Sequence, residues 1–170
     1  MKIAIIGTGN LGLSIAKGLI INNTITTLYL TKRDLNGLSE YKDHKNIFLT
    51  SDNSEAIRNS DIIIFSIQPG QFENILTSIK NELTDKHVLI STITGFKIER
   101  IEALIGSKFP IIRSMPNTAI SVGKSISIFS FAFVVIICLC THLAFSFEFI
   151  FYSFLIFSSV SWSGLLLVDH

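Results

Sequence analysis

Three glycines close to the N-terminus have the spacing of a phosphate-binding turn. The segment Gly7-Thr8-Gly9-Asn10-Leu11-Gly12 follows the apolar residues 3–6 and precedes a stretch with helical apolar spacing. Between a strand and a helix, this G-x-G-x-x-G spacing is typical of dinucleotide sites. The first glycine allows a tight turn, the second lets the backbone approach a pyrophosphate, and the third lets the helix pack on the strand. The helix start offers N–H groups to the phosphates. A glycine-rich turn without a ligand is the alternative.

The residues after the second predicted strand indicate which dinucleotide would bind. An NAD site usually has Asp or Glu about 20 residues beyond the glycines, where it accepts from the ribose 2′-hydroxyl. Here Thr31, Lys32 and Arg33 come first, and a hydroxyl with two cations suits a 2′-phosphate. Asp34 follows and could pair with either cation, and plain solvated surface charges are the alternative. The segment favours NADP(H) over NAD(H).

Two further loops follow apolar strands in the same predicted sheet. Residues 66–69 read Ser-Ile-Gln-Pro, and residues 91–95 read Ser-Thr-Ile-Thr-Gly. Ligands of open α/β sheets bind outside the carboxyl ends of the strands, so both loops are predicted to border the nicotinamide. The alternative is turn chemistry alone, since Pro and Gly are frequent where strands end.

Short apolar runs alternate with amphipathic stretches up to about residue 114. Such alternation predicts a Rossmann-like, doubly wound parallel sheet of the α/β class. The predicted strands are residues 2–6, 27–31, 47–49, 61–67, 87–92 and 111–114, and the predicted helices are residues 10–21, 54–59, 70–82 and 97–105.

Charge and cysteine content exclude two classes of partner. The 170 residues include 14 Lys+Arg and 13 Asp+Glu, a net charge of +1. A chain without an overall basic field is not expected to bind nucleic acid. The two cysteines, Cys138 and Cys140, have no second ligand pair for zinc, so no metal site is expected.

The charges divide the chain into two unlike parts. All 14 Lys and Arg lie at or before Lys124, with 11 of the 13 acids, which gives 14 − 11 = +3 for residues 1–124 and −2 for residues 125–170. We interpret residues 1–124 as an NADP-binding Rossmann domain and residues 125–170 as a hydrophobic tail.

Three interpretations of the tail remain open. Residues 125–147 and 149–168 lack Lys, Arg, Asp and Glu, and about 20 apolar residues suffice for a transmembrane helix. The favoured interpretation is a translated frameshift or a mispredicted gene end. The second is a helical membrane anchor within residues 126–168, and the third is a soluble core segment with a strand near residues 127–131.

Five segments, taken in order, resemble motifs of the Δ1-pyrroline-5-carboxylate reductase family, which closes proline synthesis with NAD(P)H. They are the glycine turn (G-x-G-N-M-G in the family), Asn53 with Glu55-Ala56 (N-x-E-x), residues 61–69 (D-x-x-x-x-A-V-K-P), residues 91–95 (S-x-A-A-G) and residues 113–119 (R-x-M-P-N-T-P). The last block is the most specific.

The resemblance implies an oxidoreductase that transfers a hydride from NADPH to the C=N carbon of a cyclic imino acid and forms L-proline in the cytoplasm. The positions it assigns to the phosphates, the adenosine and the nicotinamide are Ile6, Gly7, Thr8, Gly9, Asn10, Leu11, Gly12, Thr31, Lys32, Arg33, Asn53, Ser66, Ile67, Gln68, Pro69, Thr92, Ile93, Thr94 and Gly95; Met115, Pro116 and Asn117 are expected on the substrate side.

The departures from the family pattern limit that expectation. Gln68 replaces the family's lysine, and Ala119 replaces its last proline. Nothing in the chain resembles the S-G-S-G-P-A segment of the family's second, helical domain, which provides the dimer interface and much of the substrate pocket. We therefore expect a truncated enzyme with low or no activity. The alternatives are an inactive dinucleotide-binding module, soluble or membrane-anchored, and another NADP-dependent oxidoreductase of the F420-dependent type.

Overall fold

The structure is a computed structural model that describes residues 1–21, 25–106, 109–116, 120–121, 127–131 and 166–168. Three features of the sequence analysis lie outside these residues: Asn117, most of the apolar tail, and the domain boundary predicted between residues 124 and 125.

Eight strands form one sheet in the order β3-β2-β1-β4-β5-β6-β7-β8. The first six are parallel to one another, and β7 and β8 are antiparallel to their neighbours. The order 3-2-1-4-5-6 is that of a doubly wound dinucleotide-binding sheet, so the predicted Rossmann-like fold is confirmed. The strands are β1 Lys2–Ile6, β2 Thr27–Thr31, β3 Ile47–Thr50, β4 Ile62–Phe65, β5 Val88–Ser91, β6 Ile111–Pro116, β7 Ser127–Phe131 and β8 Leu166–Val168.

Helices cover both faces of the sheet. One face packs against α2 (Asn53–Arg58), α3 (Pro69–Ile79) and α4 (Ile98–Ile105), and the other against α1 (Asn10–Ile21) and a 3₁₀ helix at Leu35–Tyr41. A second, short 3₁₀ helix, Lys80–Glu82, follows α3. Strands that are covered on both faces need side chains that are apolar on both, which explains runs such as Ile62–Phe65.

Three phenylalanines fix how α3 and α4 lie on the first face. The Phe72 ring of α3 makes edge-to-face contacts with two other rings. Its centroid lies 5.3 Å from that of Phe65 in β4 and 5.0 Å from that of Phe96. Edge-to-face contacts add directional stabilisation to the area that the rings bury. The cluster thus joins α3 to the last residue of β4 and to the loop between β5 and α4.

Some predicted elements differ from the structure at their ends. The prediction of a strand over residues 61–67 was too long, because β4 ends at Phe65 and α3 already begins at Pro69. Proline is favoured in the first turn of a helix, where its missing N–H costs nothing. The 3₁₀ helix Leu35–Tyr41 was not predicted.

The beginning of the apolar tail is extended. Strand β7 pairs with β6 through Met115↔Ile128 and their neighbours, as the soluble-core interpretation predicted for residues 127–131. These five residues are therefore not part of a membrane-spanning helix, which was one of the alternatives for the tail. In the part of the chain that the structure describes, no helix is long and apolar enough to cross a membrane. The two cysteines lie outside that part.

Candidate functional site

The predicted site loops leave the sheet from a single row of residues. Thr31 of β2 is paired with Ile6 of β1, Ile6 with Phe65 of β4, Phe65 with Ser91 of β5, and Ser91 with Arg113 of β6. Gly7, Lys32, Ser66 and Thr92 are each the next residue after a member of this row. The sheet therefore brings the predicted loops together at its carboxyl edge, where ligands of such sheets bind.

Two of the three glycines in the turn are required by its own packing. Gly7 has φ +92°, and a Cβ there would collide with the Ile67 side chain and lie 2.7 Å from the Ser66 carbonyl oxygen. A Cβ on Gly12 would collide with the Gly7 carbonyl oxygen. These glycines thus allow the turn to pack against the β4 loop and against the first turn of α1.

Gly9 is different, because the packing of the described residues does not explain its missing side chain. Apart from its chain neighbours, no atom of those residues would lie within 4 Å of a Cβ on Gly9, and its backbone is not in the left-handed region. The residue is exposed, as is the following Asn10. A bare backbone that faces open space at the start of a helix is the cradle that a pyrophosphate needs.

Threonines join the glycine turn to the end of β2. Thr8 donates from N and from Oγ1 to the Thr31 carbonyl oxygen, at 3.0 and 2.9 Å, and the Gly7 N–H donates to Thr31 Oγ1 at 3.2 Å. Both threonine residues are buried, with 0% and 2% of their surface exposed. Their polar groups are satisfied within the protein, so they hold the two loops at a fixed separation.

The cations after β2 have no acidic partner among the residues that the structure describes. Asp34, which the sequence offered as one, accepts from the Asn36 N–H at 3.0 Å and caps the 3₁₀ helix. Within the described ranges, the ion pairs are Lys17–Glu40, Arg58–Glu82 and Arg100–Glu73, and neither Lys32 nor Arg33 has a carboxylate within 4 Å. Their charge is therefore available to an anion.

Asn53 is the first residue of α2, which follows β3. It therefore lies at the same carboxyl edge of the sheet, at the strand next to β2. The Asp52 side chain caps this helix by accepting from the Ser54 N–H at 2.8 Å. Thr50 Oγ1 accepts from the Asp52 N–H at 3.1 Å and donates to Glu55 Oε2 at 2.6 Å. This network fixes the start of α2 beside the end of β3. Lys32 lies next to it, because its N–H donates to the Thr50 carbonyl.

The loops on the other side of β1 are anchored through main-chain carbonyls. The Ser66 N–H donates to the Ile6 carbonyl at 2.9 Å, and Thr92 donates from N and Oγ1 to the Phe65 carbonyl at 3.1 and 2.9 Å. Gln68 and Pro69 are exposed at the start of α3, as are Thr94 and Gly95 beyond β5, whereas the Ile93 side chain is buried in the core. Gly95 has φ +82°.

At the end of β6, Met115 is exposed and Pro116 is half-buried, whereas Asn117 lies outside the described residues. The sequence motif gives Arg113 no role of its own. Its Nε is buried and has no hydrogen-bond partner in the described part of the chain. A buried donor of this kind is costly without an acceptor, and the feature cannot be recognised without the strand register.

A family model described as NADP oxidoreductase coenzyme F420-dependent matches residues 2–95. Among curated proteins, pyrroline-5-carboxylate reductases 1 and 2 of Dictyostelium discoideum are 36% and 38% identical over 127 and 130 residues. Each alignment covers 74% of this chain, but only 23% and 44% of the respective relative. The chain thus spans less than half of the length of these relatives.

Solved structures agree with the sequence comparison. The pyrroline carboxylate reductase of Plasmodium falciparum with NADP bound is 28% identical with a TM-score of 0.68, and the match covers 78% of this chain and 48% of that one. The pyrroline-5-carboxylate reductase of Coxiella burnetii is 29% identical with a TM-score of 0.72, over 79% and 50% of the two chains. The resemblance predicted from the sequence motifs is confirmed.

Proposed function

The chain belongs to the family described as NADP oxidoreductase coenzyme F420-dependent, and on that premise we propose that its carboxyl-edge site binds NADPH for the reduction of 1-pyrroline-5-carboxylate to L-proline. The observation that carries the cofactor assignment is the open backbone face of Gly9 between two glycines that serve packing. The substrate is supported by the relatives, since the curated proteins named above are pyrroline-5-carboxylate reductases.

The residues at this edge fit NADPH in size and charge. The pyrophosphate would lie against the backbone of residues 7–11, where Gly9 leaves room for it. The 2′-phosphate would lie beside Lys32 and Arg33, which have no carboxylate partner among the described residues. Asn53 would face the adenosine. A phosphate dianion matched by two cations favours NADPH over NADH.

The loops after β4 and β5 would orient the reacting ends. NADPH, when bound, supplies a hydride from C4 of its nicotinamide to the C=N carbon of the imine. Residues 66–69 and 92–95 border the position of that ring and exclude water from it. Gln68 is exposed at the start of α3, and its amide can donate a hydrogen bond there without a positive charge.

The description of the family model raises a second candidate, a reductase that uses coenzyme F420. The model match ends at residue 95, before β6. The two Dictyostelium alignments extend over 127 and 130 residues. The alignment to the pyrroline-5-carboxylate reductases is longer than the match to the family model. Together with the R-x-M-P motif at residues 113–116, it favours the imine reductase.

We further propose that the 170 residues by themselves reduce the imine slowly or not at all. The described residues form the cofactor side of the proposed site. Of the three positions expected to face the substrate, Met115 and Pro116 are among the described residues and Asn117 is not. In this form the chain would act as a dinucleotide-binding module. The frameshift and membrane-anchor interpretations of residues 125–170 remain proposals.

Two measurements on the full chain test these proposals. Titration followed by the fluorescence of the reduced cofactor should give tighter binding of NADPH than of NADH. Binding of neither would overturn the dinucleotide site, and tighter binding of NADH would overturn the role of Lys32 and Arg33. In the second measurement, NADPH oxidation is followed with added pyrroline-5-carboxylate. Turnover at the rate of a full-length relative assayed in parallel would refute the expected low activity.

A further inference from the structure

Gly37, in the 3₁₀ helix after β2, lies directly beneath the charged end of Lys32. A Cβ on Gly37 would be 2.8 Å from Lys32 Nζ and 3.9 Å from Lys32 Cε. Apart from its chain neighbours and its own helix, no other atom of the described residues would lie within 4 Å. The residue is exposed, and its φ is not positive. The backbone at residue 37 therefore accepts a methyl group without strain, and among the described residues the end of the Lys32 side chain is what that group would displace.

The main chain of Lys32 is fixed from two sides. Its N–H donates to the Thr50 carbonyl of β3 at 3.3 Å, and the preceding Thr31 is bonded to the glycine turn through Thr8 and Gly7. The side chain of Lys32 still has four rotatable bonds, so the position of its ammonium group depends on the surface on which it rests. Gly37 is part of that surface.

From this contact we propose that Gly37 is a positioning residue for NADPH selectivity: without a side chain, it lets the Lys32 ammonium lie against the 3₁₀ helix Leu35–Tyr41, beside the end of β2. The end of β2 is where a Rossmann site distinguishes the 2′ substituent of the adenosine ribose. This inference rests on the proposed NADPH site.

Positioning of the ammonium increases affinity by reducing an entropic cost. A free lysine side chain samples many rotamers, and it loses that rotamer entropy when it is immobilised. A lysine that already lies at the 2′-phosphate position loses less of it on binding, so more of the attraction contributes to affinity. NADH lacks the 2′-phosphate and gains nothing from this arrangement.

The replacement Gly37→Ala separates positioning from folding. Among the described residues outside its own helix, the atoms that the new methyl group meets belong to the far end of a flexible side chain, so Lys32 can move away without strain in the backbone. Alanine in place of glycine at a compatible position also restricts the unfolded chain, which leaves stability equal or slightly higher. A loss of NADPH affinity in a variant of equal stability would therefore come from the displaced ammonium.

The experiment compares five forms of the full chain: wild type, Gly37→Ala, Lys32→Gln, the double variant, and Ser39→Ala as an exposed control in the same 3₁₀ helix. Dissociation constants for NADPH and NADH are measured at fixed ionic strength, with the melting temperature of each form. We expect Gly37→Ala to weaken NADPH binding about three- to tenfold, less than the loss of a whole charged hydrogen bond, because the ammonium is displaced and not removed. NADH binding should be unchanged. In the Lys32→Gln background Gly37→Ala should have no further effect, which is the coupling expected of residues that act together.

The outcomes distinguish this inference from the function on which it rests. A wild-type chain that binds no NADPH overturns the proposed function and this inference together. Clear NADPH binding with an unchanged NADPH-to-NADH ratio in Gly37→Ala overturns this inference alone. Equal effects of Gly37→Ala with and without Lys32 would also overturn it, because Gly37 would then act by another route.

Discussion

Thr8 donates two hydrogen bonds to the main-chain carbonyl of Thr31, from N at 3.0 Å and from Oγ1 at 2.9 Å, over a sequence separation of 23 residues. One end of this contact belongs to the glycine turn and the other to the strand that leads to Lys32. The parts of the site proposed for the pyrophosphate and for the 2′-phosphate are thus one hydrogen-bonded unit.

Removal of the Thr8 hydroxyl should weaken this unit. Thr8→Val keeps the shape and the N–H bond but loses the Oγ1 bond, which typically contributes about 1 kcal/mol to stability. We expect a lower free energy of unfolding in urea and weaker NADPH binding. Thr8→Ser keeps a hydroxyl and serves as the control. Equal stabilities of the valine and serine variants would contradict a structural role for the bond.

Substitutions at Gly9 and Gly12 should have opposite consequences. Gly9→Ala places its methyl group in open space, so the melting temperature should be unchanged while NADPH binding is lost. Gly12→Ala places its methyl group against the Gly7 carbonyl oxygen and should destabilise the fold itself, by about 1–3 kcal/mol as overpacked sites do. Thermal melts and NADPH titrations of both variants check this. NADPH affinity retained in Gly9→Ala would show that the pyrophosphate lies elsewhere.

Charge removal after β2 should affect one cofactor only. Arg33→Gln is expected to raise the dissociation constant of NADPH about tenfold at low salt, the effect of one charge-assisted contact, and to leave NADH unchanged. The difference should diminish in 0.5 M salt, because exposed charges are screened. Lys42→Gln removes an equal charge from the exposed end of the 3₁₀ helix and should leave both constants unchanged. Similar losses in the two variants would indicate a diffuse field rather than a 2′-phosphate contact.

The sequence predicted the helix Asn10–Ile21 residue for residue, because apolar spacing and the preceding glycine turn define both its face and its start. It missed the 3₁₀ helix Leu35–Tyr41, although a signal was present. Leu35, Leu38 and Tyr41 recur every three residues, which is the 3₁₀ repeat, and Asp34 caps the segment.

Contacts between loops that are distant in sequence could not be predicted. The bonds between Thr8 and Thr31 and the contact of Lys32 with Gly37 depend on strand register and on side-chain direction. Periodicity reports which face of an element is apolar, and it carries no information about which hydroxyl meets which carbonyl. The sequence therefore predicted that the site loops lie at one edge of the sheet, whereas the hydrogen bonds between these loops could be identified only from the structure.

A buried histidine away from the site should make stability depend on pH. His87, the residue before β5, accepts a hydrogen bond on Nδ1 from the Thr84 N–H at 2.9 Å and is 5% exposed. Burial lowers its pKa below the ordinary value of 6.5, against the opposing carbonyls of Ile57 and Ser60. A group with a lowered pKa in the folded state contributes stability that is present above pH 6.5 and is lost as the pH falls below it. The melting temperature should therefore decrease as the pH is lowered from 7.5 to 5. His87→Gln should reduce that dependence, whereas replacement of the exposed His44 by Gln should keep it. An equal pH dependence in all three forms would place its origin in other groups.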